Sequence, residues 1–227
     1  MNVLIIGGST GIGAATIQLL NSKNIHTISI NRSGTTNAIN SFKCDILSET
    51  LPDIDEQLDS IVYFPGTITL KPFRSLKKED FMNDWNVNFL GAINCIQKYS
   101  PLLSSSQNAS IVLFSTVAVQ TGMPFHASIS SAKGAIEGLT RSLAAEFAPK
   151  IRVNCIAPSL TETPLALRLI ETESKRASAT ERHPLKNIGN AEDFASMVDW
   201  MISENAKFMT GQVVTMDGGI GKLVVGR

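Results

Sequence analysis

The sequence predicts an α/β fold, a doubly wound and mostly parallel β-sheet with helices on both faces. Two observations predict it. Short apolar runs rich in Ile and Val alternate with stretches of helical spacing along the 227 residues. The first run, Val3-Leu4-Ile5-Ile6, breaks at Gly7-Gly8-Ser9-Thr10-Gly11-Ile12-Gly13, and Ala14 to Leu20 follows with helical spacing. A glycine turn between strand and helix lets the backbone approach a pyrophosphate and aims first-turn N–H groups at it. The same glycines would also suit a turn needed only for close packing. Gly7, Ser9, Thr10, Gly11, Ile12 and Gly13 are therefore the first candidate dinucleotide-binding residues.

The remaining elements follow in order. Ile25 to Ile30 reads as a second strand ending at Asn31-Arg32-Ser33-Gly34. In a dinucleotide fold that end meets the adenosine ribose, where an acidic residue serves NAD. Here Arg32 and Ser33 stand in that place, and a guanidinium suits a 2′-phosphate. NADP (NADPH) is expected, with NAD less favoured; the alternative is a solvated Arg in a turn. His26 reads as a partly exposed strand residue. Phe42 to Asp45 is a third strand, with Asp45 either a partner for an adenine amino group or a turn cap. Pro52 to Leu58 is polar helix or loop, and Ser60 to Phe64 is a fourth strand broken by Pro65-Gly66.

Glu79 to Ser100 has the pattern of one long helix ended by Pro101. Asn88 is a polar member of its apolar face, so its amide is either a local anchor or part of a site. Ser110 to Phe114 is a fifth strand opening into Ser115-Thr116, and Ser130 to Phe147 a second long helix. Ile151 to Ala157 is a sixth strand stopped by Pro158. Leu165 to Glu181 is charged and helical, with the character of a cover over a site. Ala191 to Ile202 is a helix, and Val213 to Gly219 closes the sheet as a seventh strand and turn. No repeat or domain boundary interrupts residues 1–227, so a single domain is expected.

Composition narrows the function classes. Lys+Arg and Asp+Glu are both 20, so no charged field argues for nucleic acid or a membrane surface. The three cysteines, Cys44, Cys95 and Cys155, lack metal-ligand spacing and read as buried free thiols. No leader or transmembrane-length apolar run is seen, and a cytoplasmic protein acting on a small molecule is expected.

With these residues in place, the chain resembles a short-chain dehydrogenase/reductase over nearly its whole length. The resemblance rests on Gly7-x-x-x-Gly11-x-Gly13, Asp45, Val87-Asn88-Phe89, Lys133 after Ser131-Ala132, Arg152-Val153-Asn154, Pro158 with Thr163, and Thr210-Gly211-Gln212 leading to Asp217-Gly218-Gly219. It implies a Rossmann-type sheet, a nicotinamide cofactor and hydride transfer. It further implies that Lys133 holds the nicotinamide ribose, that Asn88 holds a water, and that Pro158, Thr163 and Ile156 lie on the nicotinamide side. Gly66 stands in the turn where the family carries Asn-Asn-Ala-Gly. Homo-dimers or homo-tetramers are implied by the same resemblance.

The chain departs from the family where protons move. Family enzymes place a Tyr four residues before the Lys and a Ser about thirteen residues before that Tyr. Here those positions hold Ile129 and Thr116. Ile129 has no proton to give, while Thr116 keeps a hydroxyl. Ser159 replaces the usual Gly after Pro158. Tyr99 reads as structural, and Tyr63 as nearer the adenosine half. His126, seven residues before Lys133, could serve as acid or base, or could be a loop histidine. Thr116 could orient a carbonyl or simply end a strand. Asn88, Thr116, His126 and Lys133 are the catalytic candidates. Three readings stay open: an NADP-dependent reductase with a substituted acid, a dinucleotide-binding pseudoenzyme acting as sensor or partner protein, and a non-redox enzyme on the same fold.

Overall fold

In the computed structural model, which describes residues 1–224, the sheet has seven strands, all parallel. They are β1 (Asn2–Ile6), β2 (His26–Asn31), β3 (Asn40–Lys43), β4 (Ser60–Tyr63), β5 (Ala109–Phe114), β6 (Ile151–Pro158) and β7 (Val213–Met216), in spatial order β3-β2-β1-β4-β5-β6-β7. The order reverses between β1 and β4, and a cleft opens beyond the carboxyl ends of the strands there.

Alternation along each strand feeds two cores. On one face Val3, Ile5, Val62 and Val112 pack with Ile17 and Leu20 of α1 (Gly11–Ser22). On the other face Leu4, Ile6, Ile61 and Ile111 form a second core. It takes in Ala92, Cys95, Ile96 and Tyr99 from the long helical segment and Ile136 from the long helix that follows it.

The stretch expected as one helix is interrupted. It consists of α2 (Lys78–Trp85), a π-helical turn (Asn86–Leu90), and α3 (Gly91–Tyr99). Asn88 lies in the π turn, and its side-chain Nδ2 donates to Asp84 O at 2.8 Å. The amide thus takes up a carbonyl that a continuous α-helix would bond through its backbone. Pro101 does not end the stretch cleanly; it sits in a short 3-10 turn, Ser100–Leu103. After β5 come the short α4 (Ala118–Thr121) and the long α5 (Ala127–Phe147), which begins three residues earlier than the expected Ser130 because His126 is its N-cap.

The third strand ends at Lys43 rather than reaching Asp45, since its partner β2 ends at Asn31, opposite Lys43. Residues 52–58 are loop. The expected cover helix is shorter than its charge pattern suggested. Leu167–Leu169 is a 3-10 turn, and α6 spans only Glu173–Arg182. Thr172 sets that start by accepting from Lys175 N at 3.2 Å. Helix α7 (Ala191–Ile202) matches its expected bounds; Asn190 caps it through Asp193 N, and Phe194, Val198 and Met201 join the α1-side core. No helix is long and apolar enough to cross a membrane among the described residues. All three cysteines are buried and free.

Candidate active site

The cleft is a cavity of about 1100 Å³ that runs from the glycine turn to the start of α5 and on to α6. Its end at the glycine turn is made of backbone. Thr10 is the N-cap of α1 and makes no side-chain cap bond, leaving the first-turn N–H groups to face the cavity. Gly7 has φ +84°, and a Cβ there would meet Pro65 Cδ at 2.9 Å. A Cβ on Gly13 would lie 2.5 Å from Gly7 O, so only glycine permits the turn to close on the helix. Gly7, Ser9, Thr10, Ile12 and Gly13 line the cavity. Gly11 does not. It has φ +56° and turns away, with Thr163 Cβ 3.3 Å from where its own Cβ would be.

At the end of β2 Asn31 is buried and organises the turn. Its Oδ1 accepts from Ser33 Oγ and Gly34 N, both at 2.8 Å, and its Nδ2 donates to Ser29 Oγ and Ser41 Oγ. Arg32 is exposed on the cavity wall beside Ser33. Asp45 also lines the cavity, but its Oδ1 accepts from Leu47 N at 3.0 Å, the turn-cap arrangement.

The opposite end is made of side chains. Lys133 projects from α5 and is buried, its Nζ donating to Phe114 O at 2.8 Å. Burial pulls its ammonium down to about 8, against weaker opposing influences from Cys155 and Asp84. A Cβ on Gly66 would sit 3.2 Å from Asn88 Oδ1 and 3.8 Å from Lys133 Nζ, so Gly66 is the floor between them. Asn88 is fully buried and committed, donating to Thr67 Oγ1 at 2.9 Å as well as to Asp84 O. Asp84, also fully buried, accepts from Thr67, Thr69 and Ser128 hydroxyls at 2.6, 3.0 and 2.6 Å. That carboxylate ties α2 to α5, and three donors replace the water it lost.

Thr116 is half-buried on the wall, its Oγ1 accepting weakly from Ala118 N at 3.3 Å. Ser115, beside it, is buried and donates to Glu137 at 2.8 Å. Ile129 is buried and lines the wall. His126 lies at the rim, its Nδ1 2.7 Å from Pro124 O, next to Phe125, an exposed side chain on a backbone with φ +70°. Pro158 and Thr163 line the cavity as expected, whereas Ile156 is wholly buried in the core and does not. Tyr63 is also a core residue, donating to Val87 O at 2.6 Å, and is absent from the lining.

One pair was not read from the sequence. Ser159 and His183 both line the cavity, with His183 Nε2 3.0 Å from Ser159 Oγ. Ser159 was visible only as a departure from glycine. Nothing in the order of residues put His183, at the end of α6, beside it.

A family model described as Enoyl-(Acyl carrier protein) reductase matches residues 10–221. A tropinone reductase homolog from Arabidopsis thaliana is 31% identical, covering 97% of this chain and 92% of its own length. The 3-oxoacyl-[acyl-carrier-protein] reductase FabG of Thermotoga maritima is 28% identical over 96% of each. Among solved structures, the ligand-free aldohexose dehydrogenase of Thermoplasma acidophilum superposes with a TM-score of 0.88 at 23% identity, covering 100% of this chain and 97% of its own. ElxO with NADP bound gives 0.85 at 26% identity, covering 96% and 98%. A glycine turn, a π turn carrying Asn88 and a buried Lys133 around one cleft, on a fold and sequence shared this widely, place the chain in the short-chain dehydrogenase/reductase family of oxidoreductases.

Proposed function

We propose that the protein is an NADP(H)-dependent oxidoreductase that acts on a small carbonyl compound, an activated alkene or the corresponding alcohol. The observation that carries this reading is the continuity of one cleft from the exposed guanidinium of Arg32, past the uncapped start of α1, to the buried ammonium of Lys133. A dinucleotide needs an anion site in the middle and hydroxyl partners at each end, and the residues fit that order. The glycine cradle that a Cβ would fill supports the same fit.

Arg32 and Ser33 would take a 2′-phosphate, and Asp45 the adenine edge. Pro158 and Thr163 would flank the nicotinamide. Lys133 spends one proton on Phe114 O and keeps two for ribose hydroxyls. The cofactor supplies or accepts the hydride when bound. Thr116 would orient a substrate oxygen, and Asn88 holds the π turn and the Gly66 floor in place. The proton comes from a group other than tyrosine; the sequence offers His126 for this, but its ring is tied to Pro124 O at the rim. The apolar wall of Ile129, Met123, Phe125, Leu165 and Leu169 suits a substrate with a hydrocarbon body.

The test is a titration with NADPH and NADH, followed by reduced-nicotinamide fluorescence. Tight NADPH binding with weaker NADH binding is expected. Binding of neither would end the oxidoreductase reading.

A further inference from the structure

We propose that Ser159 and His183 are the proton-transfer pair of the reaction. Ser159 is the catalytic residue that meets the substrate oxygen, and His183 is the positioning and proton-holding residue behind it. This rests on the oxidoreductase reading of the cleft.

The geometry fixes the direction of each bond. His183 Nδ1 lies 2.8 Å from Ala179 O. A carbonyl only accepts, so Nδ1 carries the ring proton. A neutral ring then presents a bare Nε2 to Ser159 Oγ at 3.0 Å, and the serine hydroxyl donates to it. The lone pairs of Oγ remain for a group in the cavity that both residues line. His183 is 2% exposed, and Gly218 packs against its ring, where an added Cβ would lie 3.3 Å from Cδ2. A hydroxyl, a base within hydrogen-bond reach and a third group orienting the base is the arrangement that activates serine elsewhere. Ser159 follows Pro158, whose carbonyl accepts from Val117 N at 2.9 Å, so it emerges beside Thr116 on the neighbouring strand end. His126, by contrast, is tied only to a rim carbonyl.

In alcohol oxidation the substrate O–H proton passes to Ser159 Oγ as the Ser159 proton passes to His183 Nε2. The C–H bond breaks with its electron pair going to the oxidised nicotinamide dinucleotide. The products are the carbonyl, the reduced dinucleotide and an imidazolium at His183. Carbonyl reduction runs the same transfers in reverse. Such a relay supplies what Ile129 lacks.

Three readouts test the pair. In protein labelled with 15N-histidine, His183 is expected as the neutral Nδ1–H tautomer, with an Nε2 resonance that moves in Ser159→Gly. An Nε2–H tautomer, or a resonance indifferent to Ser159→Gly, would overturn the relay. NADPH affinity, by fluorescence, is expected to stay within about threefold in Ser159→Gly, because a proton carrier acts on turnover more than on binding. NADPH-dependent reduction of 2,3-butanedione is expected to fall about a hundredfold or more in Ser159→Gly and in His183→Gln, the usual cost of losing a general acid. The double variant is expected to be no worse than either single one, as for groups acting as a unit. Undiminished turnover in Ser159→Gly sinks the relay, as does a wild type that binds NADPH yet leaves butanedione untouched. A wild type that binds no NADPH instead sinks the oxidoreductase reading itself.

Discussion

The two ends of the cleft are built from different materials. The end at the glycine turn is backbone: glycines at φ +84° and +56°, and helical N–H groups with no side chain over them. The opposite end is side chains held by other side chains, with Lys133 and Asn88 wholly or nearly buried and Asp84 clamping α2 to α5. A backbone site allows few substitutions, because a Cβ has nowhere to go. A side-chain site can be rewired one residue at a time, because each side chain is held by its own few partners.

The sharpest way to break the comparison is Gly13→Val. Its Cβ would meet the Gly7 carbonyl at 2.5 Å, which neither backbone can relieve. A stability loss of about 3 kcal/mol in urea unfolding is expected, together with loss of measurable NADPH binding. The side-chain end should respond in turnover instead. His126→Ala is expected to keep butanedione reduction within about threefold of wild type, against the roughly hundredfold loss set for Ser159→Gly. If the two variants exchange these outcomes, His126 is the acid.

Arg32→Ser addresses the far end alone. Losing a charge-assisted contact to a 2′-phosphate should weaken NADPH by about tenfold to a hundredfold and leave NADH unchanged. Equal weakening of both would mean that Arg32 is only a solvated turn residue. Lys133→Met is the mildest for the fold. Burial lowers the Lys133 folded-state value from 10.5 to about 8, so the charged form is held at a cost below that range. Removing it, less one hydrogen bond to Phe114 O, should raise the melting temperature near neutral pH by about 3 °C while weakening NADPH. The sign follows from linkage. Between pH 8 and 10.5 the unfolded chain binds more protons, so wild-type stability gains as pH rises through that window. Urea titrations at the two ends of the window should show the gain in wild type and not in Lys133→Met.

The fold was legible because it is written in periodicity. Val3 to Ile6 and Ile151 to Ala157 read as strands from their β-branched runs alone, and Gly7 to Gly13 as a tight strand-to-helix turn. Local bonds with no periodic signature were not legible. The π turn is set by one side-chain amide on Asp84 O, and the start of α6 by one threonine hydroxyl. Among the residues lining the cleft, Lys133 and Pro158 were singled out by resemblance, Asn88 by its amide on an apolar helical face, and Arg32 by its place at a strand end. Resemblance misplaced Ile156, which strand alternation turns into the core. His183 is 24 residues from Ser159, and only the return of α6 over the strand ends brings the two together.

The π turn at Asn86–Leu90 also sets where the chain can change length. One residue removed there would restore an ordinary α-helix and rotate everything before it by about 100° relative to α3. Asp84 would swing away from Ser128, and Asn88 would lose the carbonyl it holds. A single deletion in that one turn would therefore disconnect two helices at once, whereas the chain around it keeps its length only because one extra residue is absorbed there.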